Sequence, residues 1–91
     1  MNLIQGVVSG PTPSGSRVVI YSFAGSIWWV QPTADEPYTQ VGKTGNWSAV
    51  IHLGQVYSAL LVTGQYKAQA KLASLPLEGG EVLAVASVPG R

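Results

Sequence analysis

Cysteine is absent from this chain of 91 residues. That excludes disulfides, thiolate zinc sites and cysteine nucleophiles. Charge is scarce as well: Asp, Glu, Lys and Arg make up 10% of the residues, against about 25% in an ordinary soluble domain. Lys43, Lys67 and Lys71 are spread out, and Arg17 and Arg91 are solitary. The net charge is +1, and no basic stripe exists to displace counterions from phosphates, so nucleic acid is not an expected partner. No stretch approaches the ~18 consecutive apolar residues that a membrane span requires. No basic segment leads into an apolar run, so no signal peptide is read at the start.

Acids and histidine are equally thin. Asp35 and Glu36 are neighbours in a Pro-flanked segment. Calcium asks for ~6–8 oxygens, and glycoside hydrolysis asks for two carboxyl groups facing each other. Neither is offered by adjacent side chains with no third acid near them. His52 is the single histidine; Ser48 lies on the same strand face but too far along it for a direct bond. No G-x-S-x-G elbow is present. The "GKTG" at 42–45 lacks the full phosphate-loop spacing and any following helix, and reads as a glycine-supplied hairpin turn. No catalytic residue, metal ligand or cofactor site is assigned, and the chain is expected to be no enzyme.

What is present is regular punctuation. "SGPTPSGS" (9–16), "AGS" (24–26), "QPTADEP" (31–37), "GKTGN" (42–46), "LGQ" (53–55) and "LEGG" (77–80) are turn clusters. Short runs rich in Val, Ile, Tyr and Trp lie between them. The spacing predicts an all-β sandwich or barrel forming one domain over residues 1–91. Strands are expected at 3–9, 17–23, 27–31, 38–42, 46–53, 56–63 and 81–88, with every proline outside them. Segment 64–76, "GQYKAQAKLASLP", alternates like a half-exposed edge strand that breaks at "LASLP". Its Ala, Gln, Lys and Leu also allow one helical turn.

Alternation assigns faces. In 46–53, Trp47, Ala49, Ile51 and Leu53 share the core side, and Asn46, Ser48, Val50 and His52 the other. Strand 56–63 sets Tyr57, Ala59 and Leu61 against Leu60 and Val62. Strand 17–23 sets Val18 and Ile20 against Val19, Tyr21 and Phe23. Strand 81–88 sets Val82, Ala84 and Ala86 against Leu83 and Val85. These three strands are apolar on both faces. Either extra cover within the chain or contact with another chain explains that.

From residue 42 the chain reads "GKTGNWSAVIHLGQVYSALLVTGQY", preceded by "IQGVVSG" and "RVVIYS". This resembles the transthyretin-like, carboxypeptidase-regulatory-like sandwich modules, in which an aromatic after a glycine turn leads to a G-x-Y-type strand. The resemblance implies a Greek-key immunoglobulin- or transthyretin-like sandwich of about seven strands. It also implies Trp47 as the core aromatic, with Gly54 and Tyr57 forming the tight crossover into the central strand. Two features depart from the family pattern: its turn Asp is replaced by "KTGN", and "IWWVQP" has no counterpart. Members of the family serve mostly as non-catalytic stalks, spacers, adhesion or assembly modules, and some bind sugar.

"IWWVQP" raises the remaining question. Adjacent side chains of a strand point to opposite faces, so one of Trp28 and Trp29 enters the core and the other looks outward. An outward tryptophan is covered by the 32–37 loop, or it anchors a protein partner, or it stacks on a sugar ring. Trp28, Trp29, Gln31, Asp35 and Tyr38 are therefore the candidate binding surface. The sequence points first to a structural or interaction module, a homo-oligomer or a packer on neighbouring subunits. A filament, surface-layer or virion-decoration subunit outside the cell fits that description. The alternative is a small carbohydrate-binding module that takes polysaccharide.

Overall fold

The computed structural model describes residues 2–10 and 15–89. The turn expected around Pro11 and Pro13 lies outside them. The described chain is all β, with no helix. The strands are β1 (Asn2–Val7), β2 (Arg17–Ala24), β3 (Ile27–Gln31), β4 (Tyr38–Thr39), β5 (Asn46–Ile51), β6 (Val56–Val62), β7 (Lys71–Leu72) and β8 (Val82–Pro89). Every run expected as a strand carries one. Pro89 is the exception among the prolines: it is the last residue of β8, tolerated because β8 is an edge strand.

The strands form two antiparallel sheets. The small one is β1 beside β5, in register from Asn2↔Ile51 to Val7↔Asn46. The large one runs β7-β3-β2-β6-β8, with β4 pairing the start of β2. The centre is β2, which bonds β3 on one side and β6 on the other. It reads "RVVIYSFA", β-branched and aromatic on both faces, which suits a strand covered on both sides.

Both faces of β2, and the strap-side face of β6, are covered by the chain itself. On one face the small sheet packs down, enclosing Val18, Ile20, Ala49, Ile51 and Tyr57, with Ile4, Val8 and Trp47 beside them. On the other face lie Val19, Tyr21, Val30, Leu60, Val62 and Val82. Their cover is the segment expected to be an edge strand. Tyr66, Ala68, Leu72 and Leu75 lie over the large sheet as a strap, and only Lys71–Leu72 joins the ladder, against β3. Of the two explanations for the two-faced strands, cover within the chain holds for β2 and for the inner part of β6.

Polar side-chain ends tie the strap down. The Tyr21 hydroxyl donates to the Gln69 carbonyl at 2.9 Å. The Tyr38 hydroxyl donates to the Tyr66 carbonyl at 3.0 Å and accepts from the Ala68 N–H at 3.0 Å. The Arg17 guanidinium lies 3.6 Å from the Tyr38 ring centroid and donates to the carbonyls of Gly64 and Tyr66 at 3.1 and 3.3 Å. A segment whose backbone bonds to side chains needs no ladder partner, which is why its alternation did not make a long strand.

Two face assignments are corrected. Leu53 is 63% exposed, because β5 ends at Ile51 and the chain turns away. The alternation of β8 breaks at Leu83: Val62 pairs Val82 while Leu61 pairs Ala84, a bulge that leaves Leu83 unopposed. Val82 and Val85 therefore share the strap side, and Ala84 lies on the opposite one with Ala86. The turn at "GKTG" is a tight hairpin turn as expected, with Gly45 at φ 88° and closed by Gly45 N–H to the Gly42 carbonyl at 2.9 Å and Gly42 N–H to the Asn46 carbonyl at 2.8 Å; the strands it links, β4 and β5, lie in different sheets.

Candidate functional site

The tryptophan pair divides as alternation requires. Trp28 turns to the strap side, with its ring centroid 4.8 Å from that of Phe23, its cross-strand partner. Trp29 turns to the opposite face and is 44% exposed. Its indole N–H donates to the Ala24 carbonyl at 3.0 Å, and the Lys71 ammonium sits 5.8 Å from its ring. The outward ring thus rests between the β2–β3 turn and β7.

The rest of the expected surface does not assemble around it. Gln31 was expected to face a ligand; it is 3% exposed. Its carboxamide is used at both ends: Nε2 donates to the Trp29 carbonyl at 3.2 Å, and Oε1 accepts from the His52 N–H at 2.8 Å. This bond fastens the large sheet to the chain just beyond β5, and a polar side chain so satisfied is stable inside. Tyr38 was expected beside the tryptophan; it is half-buried under Arg17 with its hydroxyl bonded to the strap. Asp35 is exposed in a loop where Glu36 N–H donates to the Thr33 carbonyl and hydroxyl, each at 3.2 Å. His52 is exposed, and its carbonyl accepts from Ser22 at 3.3 Å.

Trp47, the other large aromatic, offers no free platform either. It pairs with Gly6 across the small sheet, and a Cβ on Gly6 would stand 2.5 Å from its Cζ2. The ring fills the space the glycine leaves. A depression of about 730 Å³ beside it is lined by Gln5, Gln40, Asn46 and Ser48, among others.

The feature that stands out lies at the side of the sandwich. The small sheet has two strands, and the large sheet extends beyond it. The small sheet stops at β1, and among the described residues nothing covers the inward face of β8: Ala84, Ala86 and Val88 point toward the small sheet yet are exposed. A groove of about 420 Å³ opens there between β1 and β8. Its floor is Val18, Tyr57, Ala59 and Leu61; its walls are Ile4 and Val8 on one side and Ala84, Ala86 and Val88 on the other. No charged side chain lines it among the described residues.

The two walls of the sandwich differ. On the β5 side, the chain from Thr39 to Asn46 crosses between the sheets, and Gly42 N–H donates to the Asn46 carbonyl at 2.8 Å. The β3 edge is capped by β7 and by the Val30 N–H donating to the Ala70 carbonyl at 2.9 Å. On the other side β1 and β8 each pair with one strand; the outer edge of β8 is met at Val82, which exchanges both backbone bonds with Gly79, and beyond it no strand pairs that edge among the described residues. Sequence reasoning flagged the run at 81–88 as apolar on both faces but did not place it at an edge. The available signal was "VLAVASVP", eight residues without a charge.

Burial pushes the Tyr21 phenol well above its usual range, and Tyr66 close by adds to the effect. Burial raises Tyr66 as well. Both belong to the strap's anchorage. Among the described residues no group of three or more His, Cys, Asp or Glu stands ready for a metal, and no helix is long and apolar enough to cross a membrane. Comparison of the chain with family models, with curated proteins and with solved structures finds no match.

Proposed function

We propose that this chain is a non-enzymatic interaction module that packs the open side of its sandwich against neighbouring protein subunits. The observation that carries this reading is the uncharged groove of about 420 Å³ between β1 and β8, where inward-facing side chains of a sheet lie in solvent. An apolar surface of this kind on a small folded chain is the mark of a contact site. The low charge of the chain leaves little repulsion between copies or neighbours.

In this reading the fold is a Greek-key sandwich of the transthyretin-like or immunoglobulin-like type. Its support is the chain path: β5 leaves to pair β1, and β6 returns to bond β2 past three intervening strands. Gly54 supports it as well. Its N–H donates to the Tyr57 hydroxyl at 3.0 Å, and a Cβ there would meet Ser22 Oγ and the Phe23 carbonyl. Filament, surface-layer and virion-decoration subunits are the roles such a module fills, outside the cell or on a particle.

A dilution series followed by light scattering tests the reading. It expects a mass that rises with concentration; a strict monomer at the highest concentration removes self-association from it. The exposure of Trp29 favours a second reading, a sugar stacked on its ring. That reading keeps Asp35 and loses Gln31 and Tyr38, whose polar ends are spent inside.

A further inference from the structure

We infer that the groove between β1 and β8 takes a single extended strand from a neighbouring subunit, laid beside β1 as the third strand of the small sheet. The inference rests on the interaction-module reading above and names the form of its partner. The place is one strand wide, because the small sheet ends at β1 while the large sheet continues to β8. Its backbone contacts are set by β1. In an antiparallel ladder, alternate residues turn their N–H and C=O groups to opposite sides. Val8 N–H donates to the Gly45 carbonyl at 2.8 Å, on the β5 side. By the same register Ile4 and Gly6 bond β5, and Leu3, Gln5 and Val7 turn their backbone groups toward the groove. The far side of β5 agrees: Asn46, opposite Val7, turns its carbonyl away from β1 to accept from Gly42. Among the described residues no strand meets Leu3, Gln5 and Val7 on the groove side. A row of such groups is completed by another extended strand.

The groove also sets the occupant's side chains. No charged residue lines it among the described residues, so a charged side chain placed there would lose its water and find no partner. Of the β8 residues that face it, Ala84 and Ala86 are small and leave room above them. The occupant is therefore uncharged along its inward face, with a branched aliphatic residue at every second position. A folded face cannot enter a place one strand wide, so the occupant is an extended segment of a neighbour and not the wall of a second copy. About 20 Å of strand, ~5 Å wide and seated ~10 Å deep, covers on the order of 300 Å² on each partner. The total of about 600 Å² falls below what a free-standing contact needs. The strand is expected to bind weakly when free and firmly when tethered to a subunit already in place.

The probe is a synthetic peptide of alternating Thr and Val between terminal lysines, its ends blocked, titrated into the isotope-labelled chain. It is expected to shift the amide resonances of Leu3, Gln5 and Val7 and to slow their hydrogen exchange, saturating below about 1 mM, while the strap does not respond. The same peptide with its central Val replaced by Asp is expected to bind ~tenfold more weakly or worse. Ala86→Trp fills the groove from the β8 side and is expected to weaken the unaltered peptide ~tenfold or more. Should Ala86→Trp not fold, judged by far-ultraviolet circular dichroism, Val88→Lys takes its place and sets an unpaired charge at the half-exposed end of the groove. Shifts that lie away from β1 and β8, or that neither variant weakens, or no binding up to about 1 mM, overturn the strand insertion. A chain that takes no peptide yet gains mass in the dilution series loses this inference and keeps the interaction-module reading. A chain that does neither loses both.

Discussion

The buried carboxamide of Gln31, at the end of β3, accepts the His52 N–H at 2.8 Å just beyond the end of β5. This side-chain bond ties the large sheet to the small one. Replacing Gln31 by alanine removes it and also leaves a gap in a site 3% exposed. A loss of about 1–3 kcal/mol is expected, the cost of leaving a partly buried donor unpaired. His52→Ala is expected to cost far less, because the bond uses the backbone and the imidazole is exposed. Urea unfolding of the two variants separates them.

The strap depends on hydroxyls. Tyr21→Phe removes one bond, to the Gln69 carbonyl, and is expected to cost about 1 kcal/mol. Tyr38→Phe removes an accepted and a donated bond, to Ala68 and Tyr66, and is expected to cost more. Thermal melts at neutral pH check the order.

The same burial gives a pH dependence. The folded chain holds the Tyr21 phenol neutral above its usual value of 10.0, by burial first and by Tyr66 second. The unfolded chain ionises it near that value. The folded state therefore binds more protons above about pH 10, and stability is full below that pH and falls as pH rises. The urea midpoint is expected to hold from pH 7 to 9 and to drop beyond about pH 10. Tyr21→Phe is expected to flatten that drop.

The tryptophans should separate by function. Trp28→Ala opens a gap beside Phe23 and is expected to destabilise by about 2 kcal/mol, below the range for a fully buried ring. Trp29→Ala is expected to cost less than about 1 kcal/mol, since it removes an exposed ring and one exposed hydrogen bond. Fluorescence titration with polysaccharides tests the sugar reading on the same variants. A shift that Trp29→Ala abolishes would support it; no shift with any glycan removes it.

Strand positions were legible because turn residues and prolines punctuate the chain at short intervals, and β-branched residues fill the gaps. Faces were legible where the ladder is regular, as in β2 and β6. They failed at Leu83, because a bulge depends on the partner strand and leaves no trace in alternation. The strap was read as an edge strand for a related reason. Tyr66 and Ala68 alternate with Lys67 and Gln69 whether the backbone bonds a strand or the side chains of Arg17 and Tyr38, 28 to 49 residues away. Gln31 was read as surface because glutamine is usually there. Its burial rests on meeting His52, 21 residues on, which no local pattern announces. The open wall followed from the small sheet having two strands, a property of the pairing and not of any one segment.

Amide hydrogen exchange of β1, measured residue by residue across a concentration series, tests the central claim most directly. The account predicts that the amides of β1 that face the groove gain protection as concentration rises, while those of the strap and of β5 do not. Protection of β1 that is independent of concentration, in a sample whose mass is growing, would contradict it.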